Sequence, residues 1–567
     1  VCAYRARPLW EIRARRVIHD QVERQIWFDG AQVRLGGVPV LWLPRLRMPD
    51  PTLRRTRGVL MPRITSSSAL GFGLRVPYFI PFGPSRDLTL TPHLGSKDMV
   101  TLGLRYRQAF RHGGIELSGA LSRDTLVAGT RGYLTASGAF DLPAGFGLRF
   151  SGETVSDRAY LLDYGISDKD RLDSRIEVSR TRRDEHVAAR LIHFQSIREG
   201  ESNALLPSIV GDLDIHRRFE VPGLGGVAGL RLRGHSHYRT STLNALGRDV
   251  VRATLEADWR RDWVLGGGVL AAVSAGVAGD LHRIAQDNAF PDRVRQITPM
   301  AALELRWPLA RRAADGATHV LEPVAQLVWS RRHPAGLTPN EDSLLIEFDE
   351  GNLFAFNRFP GGDRREGGAR LNLGLGWTRI APSGWSLGVM AGRVLRHDAT
   401  SQFTAASGLG AGRRSDWLAA VHVQGLGGFG LMGRALLDER ATFARSEMRL
   451  RWDQQGYGLA AAYVWARADA AENRLTDTAE WVLDGRYRLS DFWTATASTR
   501  YDHTARQTTS AAFGLAFANE CMRVDLSLSR RFTASTNVRP TTDFGVSLDL
   551  IGFGGSSTGP RGARSCR

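Results

Sequence analysis

The chain has 567 residues, with 75 Lys+Arg against 58 Asp+Glu for a formal charge of +17, and 62 glycines. A balance of this kind points to nucleic acid when it gathers in one stretch; here it is spread along the whole chain, so no nucleic-acid partner is expected. No segment reaches the roughly 18 to 20 uncharged apolar residues of a membrane helix, and the nearest, Val264 to Gly279 and Trp417 to Met432, stop at about 16, which excludes an α-helical membrane protein.

The chain opens on Val1, without an initiator methionine or an apolar targeting segment, as a processed or trimmed chain does. Trp10 to Ile18 and Gln25 to Leu35 read as short strands. After them come Val38-Pro39-Val40-Leu41-Trp42-Leu43-Pro44 and a Pro/Arg-rich bridge, Met48-Pro49-Asp50-Pro51. Prolines at this density end strands and stiffen linkers. A domain boundary is expected near Asp50 to Arg57, dividing the chain into 1–55, 56–555 and a tail, 556–567.

Beyond the boundary the dominant signal is alternation with period two. Val100, Leu102, Leu104 and Tyr106 are apolar, while Thr101, Gly103, Arg105 and Arg107 stand between them. The pattern returns at Met448, Leu450 and Trp452, at Met522, Val524, Leu526 and Leu528, and at Phe544, Val546, Leu548 and Leu550. Such runs are strands with one apolar and one polar face. A soluble sandwich turns the apolar face into a core, whereas a membrane barrel turns it to lipid. Number decides: at roughly 20 residues per strand and connection, Gly58 to Phe553 supplies about 25 strands, too many for a sandwich and within the range of large barrels. Trp307, Trp452, Trp481 and Trp493 lie near segment ends, where interfacial girdles belong. The fold class is therefore all-β, a large antiparallel transmembrane barrel.

The polar face is rich in arginine, since Lys97 and Lys169 are the only lysines. Arg231, Arg233, His235 and His237 share one face of a strand whose other face carries Leu230 and Leu232. On lipid, each such charge would cost roughly 2 to 4 kcal/mol at the midplane, so the four are expected to face the lumen. His235 and His237 lack a third ligand nearby, and a polar lumen wall is expected rather than a metal site. Gly425-Leu426-Gly427-Gly428-Phe429-Gly430 fits a dinucleotide fingerprint in letters. The next residues, Leu431 to Leu436, alternate like a strand where the fingerprint requires a helix, so a glycine hairpin is expected. No nucleophile elbow or zinc-protease helix is present, and no catalytic residue, metal or cofactor is expected.

Pro62 and Pro77 lie in the first two alternating segments. A proline cannot donate to the ladder, and a gap facing lipid is more costly than one facing water. Either both sit near turns, or they weaken the seam where the first and last strands meet. Cys2, Cys521 and Cys566 fit no zinc or redox spacing and leave open a long-range disulfide or unrelated thiols.

Several runs together resemble one family. Cys2, Trp10-Glu11-Ile12, Val17-Ile18-His19-Asp20, Val38 to Pro44, Gly58-Val59-Leu60-Met61-Pro62 and Val76-Pro77-Tyr78 resemble the junction of jelly roll and barrel in the LptD (OstA/Imp) family of lipopolysaccharide-assembly proteins. Glu341-Asp342-Ser343, Phe348-Asp349, Gly351-Asn352-Leu353-Phe354, Asn357-Arg358-Phe359 and Gly362-Asp363-Arg364-Arg365-Glu366-Gly367-Gly368 are similar to that family's mid-barrel signature.

The resemblance implies a 26-stranded barrel in the bacterial outer membrane, placed there by the barrel-assembly machinery and surrounded by outer-membrane lipids. It implies that residues 1–55 are the end of a periplasmic β-jelly roll that receives lipopolysaccharide from an LptA-type bridge, and that the lipoprotein LptE plugs the lumen. Acyl chains would leave through a lateral gate between first and last strands, marked by Pro62 and Pro77, while the sugars pass through the lumen. Asp349, Asn352, Asn357, Arg358, Asp363 and Arg364 would be the family's barrel motif. Where the family commonly has two adjacent cysteines before the last strands, this chain has Cys521 alone, which implies a single Cys2–Cys521 bridge; Cys566 has no match. From the residues alone, a passive diffusion channel with an arginine-lined anion filter is the alternative.

Overall fold

The computed structural model describes residues 2–4, 7–50, 55–60, 62–334, 336–344, 346–410, 412–519, 522–533 and 540–550. Among these residues the chain forms a five-stranded antiparallel sheet and then a closed antiparallel barrel.

The small sheet uses Cys2–Tyr4, Arg7–Arg13, Arg16–Asp20, Gln25–Leu35 and Val38–Pro49. Two expectations are corrected here. The segment Trp10 to Ile18 is not one strand: it breaks at Ala14 and Arg15, so that Arg7–Arg13 and Arg16–Asp20 pair in turn with Gln25–Leu35. The proline-rich stretch is not a chain of strand ends either; Val38–Pro49 is one strand of 12 residues that runs through Pro39 and Pro44. It pairs only with Gln25–Leu35, and a strand at a sheet edge can carry prolines whose missing donors would face away from the ladder.

The barrel begins at Gly58 and has 26 strands among the described residues, because four strands are each broken into two pieces. The broken ones are Gly58–Val59 with Arg63–Ser67, Gly71–Arg75 with Tyr78–Pro81, Arg293–Arg306 with Leu309–Arg312, and Gly412–Arg414 with Trp417–Leu426. Each strand pairs with its neighbours in sequence, and Thr541–Leu550 closes on Arg63–Ser67. This leaves no open edge in the hydrocarbon region, the condition for spanning a bilayer with strands.

Alternation sets which side chains face out. Leu102, Leu104, Leu230, Leu232 and Leu255 are exposed on the outer surface, whereas Thr101, Thr254 and Asp280 are buried inside. The glycine-rich segment after Trp417–Leu426 is a two-residue hairpin with Gly427 and Gly428 at φ 57° and 78°, the conformation a tight turn between right-twisted strands requires. No helix among the described residues is long and apolar enough to cross a membrane.

Apolar packing inside the barrel comes from connecting loops. Residues 331–367, between Thr318–Ser330 and Gly368–Ile380, bring Ile346, Phe348, Leu353 and Phe359 into one buried cluster with Val394, Leu418 and Leu436 of the wall. A second cluster joins Leu70, Met99, Tyr160, Leu161 and Tyr164 from separate loops at the end of the barrel away from the small sheet.

Candidate functional site

Two features set this barrel apart from a uniform cylinder: its seam and its internal loop. On one side, Thr541–Leu550 pairs with Met522–Arg531 in ten register pairs, from Met522↔Leu550 to Arg531↔Thr541. Across the seam it meets Arg63–Ser67 in only five, from Asp543↔Ser67 to Ser547↔Arg63. Leu548 is the next residue of the last strand, and the residue that would face it is Pro62, which has no N–H to offer. Beyond this point Gly58–Val59 keeps only its pairing with the second strand, at Tyr78 and Phe79, with the register there slipped by one residue relative to Arg63–Ser67 against Gly71–Arg75.

The second strand breaks at Val76 and Pro77, where Val76 N donates to Pro92 O at 3.0 Å and Leu60 N donates to Pro77 O at 2.8 Å. Both prolines thus lie in breaks within strands and not at the turns between them. The other end of the seam is fastened: Ser68 N donates to Thr542 O at 2.9 Å and Thr542 N donates to Ser68 Oγ at 3.0 Å.

The loop 331–367 folds back into the barrel and is pinned to separate parts of its wall by charge. Glu341 accepts from Arg239 Nη2 and Arg248 Nε, both at 2.6 Å, and Asp342 from Arg252 Nη2 at 3.1 Å. Arg365 Nε donates to Asp280 at 2.8 Å. Further round the barrel, Glu350 accepts from Arg434 at 2.8 and 2.9 Å and Glu347 from Arg445 at 3.0 Å.

At its base, Arg358 Nη1 donates to both oxygens of Glu366 at 2.8 and 2.7 Å, and Arg358 Nη2 to Asn372 Oδ1 at 2.7 Å and Leu353 O at 2.6 Å. Arg370 and Arg396 approach the same carboxylate at 3.5 and 4.0 Å. Close approach also needs small wall residues: a Cβ on Gly392 would stand 2.3 Å from Leu353 Cδ2.

Within the loop, Asp363 and Asp342 face each other. Asp363 Oδ2 accepts from the backbone N–H of Glu341 at 2.6 Å and of Asp342 at 3.1 Å, and Asp342 Oδ1 accepts from Asp363 N at 3.3 Å. Burial and the neighbouring Asp342 carboxylate push Asp363 up to about 6. Asp342 is held well below the usual range, since hydrogen bonds from Asp363 and the Arg252 guanidinium outweigh its burial.

The docked loop therefore retains a proton that a free loop releases above the ordinary value of 3.8. Docking should weaken as pH rises from that value through about 6 and level off above it. Hydrogen exchange of residues 337–366 against pH would show protection falling across this window, and Asp363→Asn, which mimics the protonated group, should flatten the profile. A profile unchanged by that substitution would count against the carboxylate pair as its source.

The strand carrying Arg231, Arg233, His235 and His237 turns all four inward. Arg231 pairs with Asp214 and Arg233 with Glu256, each at 2.5 Å, while His235 Nδ1 lies 2.9 Å from Asp212. His237 is buried, 3.3 Å from His235 and 4.0 Å from Glu341. Among the described residues no group of three His, Cys, Asp or Glu is placed to hold a metal.

The molecule is thus a large closed barrel with an inserted loop between its fifteenth and sixteenth strands. The profile of one family, LptD, described as LPS transport system D, matches residues 129–479. The chain belongs to the LptD family. The LPS-assembly protein LptD of Yersinia pestis bv. Antiqua is 24% identical over 602 residues, which covers 97% of this chain and 75% of that protein. The protein of the same name from Polaromonas sp. is 25% identical over 417 residues, 69% of this chain and 50% of the relative. That of Xanthomonas euvesicatoria pv. vesicatoria is 31% identical over 160 residues, 28% of this chain and 20% of the relative.

In this LptD chain the six residues expected as a barrel motif, Asp349, Asn352, Asn357, Arg358, Asp363 and Arg364, all fall in the internal loop. Asp349 and Asn352 exchange hydrogen bonds, each backbone N–H donating to the other's side-chain oxygen at 3.0 Å. Asn357 ties the two arms of the loop together: its Nδ2 donates to Arg364 O at 3.1 Å and its Oδ1 accepts from Glu366 N at 2.9 Å. Arg358 anchors the loop to the wall, and Asp363 closes on Asp342.

Sequence reading passed over Glu366 as a site residue, together with Arg370, which approaches it from the wall, and Asn372, which accepts from Arg358. Their signal is alternation, since Arg370 and Asn372 occupy the polar positions of Gly368–Ile380. It also passed over Arg131, buried at the far end between Asp124, Asp157 and Asp163 at 3.2, 2.7 and 2.8 Å. The expected Cys2–Cys521 bridge depends on Cys521, which lies outside the described residues, as do Cys566 and the tail 556–567.

Proposed function

We propose that this chain is the outer-membrane translocon for lipopolysaccharide, passing it from a periplasmic bridge to the outer leaflet by way of a lateral gate between the first and last strands. The single observation that carries the gate is the five-pair seam, which stops where Pro62 would have to donate. Elsewhere the last strand is held by twice as many pairs. A ladder that ends early inside a closed wall is the place where the wall parts at least cost. The family and the names of its relatives, LPS-assembly proteins, supply the substrate. The process moves a lipid and makes no covalent bond, so no catalytic group is assigned.

In this reading residues 1–55 are the end of a periplasmic jelly roll that hands lipid from an LptA-type bridge to the seam. The lipoprotein LptE would enter the lumen, and the barrel-assembly machinery would close the barrel. A Cys2–Cys521 bridge would tie the small sheet to the chain between Gln507–Ala518 and Met522–Arg531. An open diffusion channel fits less well, because the loop 331–367 occupies the lumen and is pinned to its wall on several sides.

In-cell photo-crosslinking of the full-length protein to lipopolysaccharide tests the route, with probes at Trp27 and Trp42 in the small sheet and at Leu74 beside the seam. Adducts at both places are expected. None at either, in a folded and expressed protein, would overturn the reading.

A further inference from the structure

The first barrel strand is held weakly on both sides. Across the seam Arg63–Ser67 makes five register pairs with Thr541–Leu550. On its other side it makes five with Gly71–Arg75, to which Gly58–Val59 adds two with Tyr78–Pro81. Opposite Arg63 in the second strand stands Arg75, and like charges facing each other weaken a pair of strands. With the two ladders so nearly equal, side-chain contacts decide which neighbour this strand stays with when the wall parts.

One such contact skips a strand. His93 in Arg86–Gly95 brings its Nε2 to 3.3 Å from Thr65 Oγ1 in the first strand, and the second strand runs between them. The ring crosses at Gly73, where a Cβ would stand 2.4 Å from His93 Nε2 and 3.1 Å from its Cδ2. Gly73 is not in the left-handed region, so room for the ring, and not a turn, is what calls for a glycine there. His93 is buried, which shields its bond to Thr65 from competition by water.

Both ends of the first hairpin are fastened in the same direction, toward the third strand and beyond. At the outer end Lys97 Nζ donates to Ser68 O at 2.7 Å and Phe72 N donates to Ser96 Oγ at 3.0 Å, while Leu70 is buried with Met99, Tyr160 and Tyr164. At the inner end Arg55 donates to Asp87, which also accepts from Arg107 Nε at 2.9 Å. The last strand has no such set of ties. Among the described residues its side chains bond only within Thr541–Leu550, to Met522–Arg531, as Thr541 does with Arg531 at 3.1 Å, and to Ser67 across the seam.

We infer that His93 is a positioning residue of the gate: by holding Thr65 across Gly73 it keeps the first strand with the second and third, so that the seam opens by departure of the last strand. The inference rests on the proposed gate between first and last strands and adds which side of it moves.

The test links pairs of introduced cysteines with a short thiol reagent in cells making the full-length protein, and reads surface lipopolysaccharide against the equally treated parent. The pairs are register partners in one row: Val546 with Ile64 across the seam, Ile64 with Leu74, and Leu74 with Leu94. Linking Val546 to Ile64 is expected to stop transport, and linking either of the other pairs to leave it unchanged. Thr65→Val keeps the shape and removes the hydroxyl, and Gly73→Ala displaces the ring. In either background the first strand can leave with the last, so transport past the linked seam should rise about fivefold, the change that one net hydrogen bond makes. His93→Gln, which can still bond Thr65, should keep the parent's pattern. A Leu74–Leu94 or Ile64–Leu74 link that stops transport in the parent would overturn the inference and leave the gate standing, as would a pattern unchanged by both Thr65→Val and Gly73→Ala. Normal transport with Val546 and Ile64 linked would overturn the gate itself.

Discussion

Glu366→Gln is expected to release the internal loop, at a cost of about 3–5 kcal/mol to its docking, the range for breaking one side of a buried ion pair. The Glu366 side chain is 1% exposed and, among the described residues, is the one carboxylate within 4.0 Å of Arg358, Arg370 and Arg396, whose own side chains are 3% exposed or less. Glutamine has the same shape but offers one acceptor oxygen and turns an N–H toward guanidiniums that have only donors. Arg358 would then sit buried without a counter-charge, and water entering the base of the loop is the only remaining relief. Limited proteolysis of the folded barrel should cut between residues 337 and 366 in the variant and not in the parent. Single-channel recording should show larger or more frequent openings. An equally protected loop would mean that the Asn372 and backbone contacts of Arg358 hold it without the carboxylate.

The double variant Pro62→Ala, Pro77→Ala should close the seam and slow transport. Each substitution supplies a donor the ladder lacks, worth on the order of 1 kcal/mol net per bond and more where the alternative faces lipid. Pro62 is the next position after Arg63↔Ser547, so the new N–H would extend the seam toward Leu548. Pro77 lies between two pieces of the second strand that already keep the same register against Arg86–Gly95, so its replacement makes one unbroken strand. The expected phenotype is a barrel that folds and resists heat at least as well as the parent but accumulates lipopolysaccharide on the periplasmic side. Normal surface lipopolysaccharide in that variant would remove the seam as the exit.

Much of this architecture is legible in the chain because a membrane barrel is governed by one local rule. Alternation at Val100 to Arg107 and at Phe544 to Leu550 places apolar side chains on lipid and polar ones inside, strand after strand. Closure needs nothing beyond enough strands. The inward turn of Arg231, Arg233, His235 and His237 follows from the same rule, as does the hairpin at Gly427 and Gly428. The rule fails where pairing partners matter: Pro39 and Pro44 read as strand ends, yet they sit inside Val38–Pro49 because that strand has a neighbour on one side only.

The run at 341–368 that resembles the family is equally visible as residues but silent as geometry. Nothing in Glu366 or Arg358 announces that they meet, or that Arg370 and Arg396 from two different wall strands converge on the same carboxylate. Those contacts depend on how the loop re-enters a closed cylinder, and pairing across such distances in sequence is set by the whole barrel. The sequence by itself determined that the chain makes an antiparallel barrel with an arginine-rich interior, because period-two alternation acts residue by residue. Only the tertiary structure decided that the seam stops at Pro62, where the loop 331–367 is pinned inside the barrel, and that wall arginines converge on Glu366. Each of these is a property of partners brought together from distant parts of the chain.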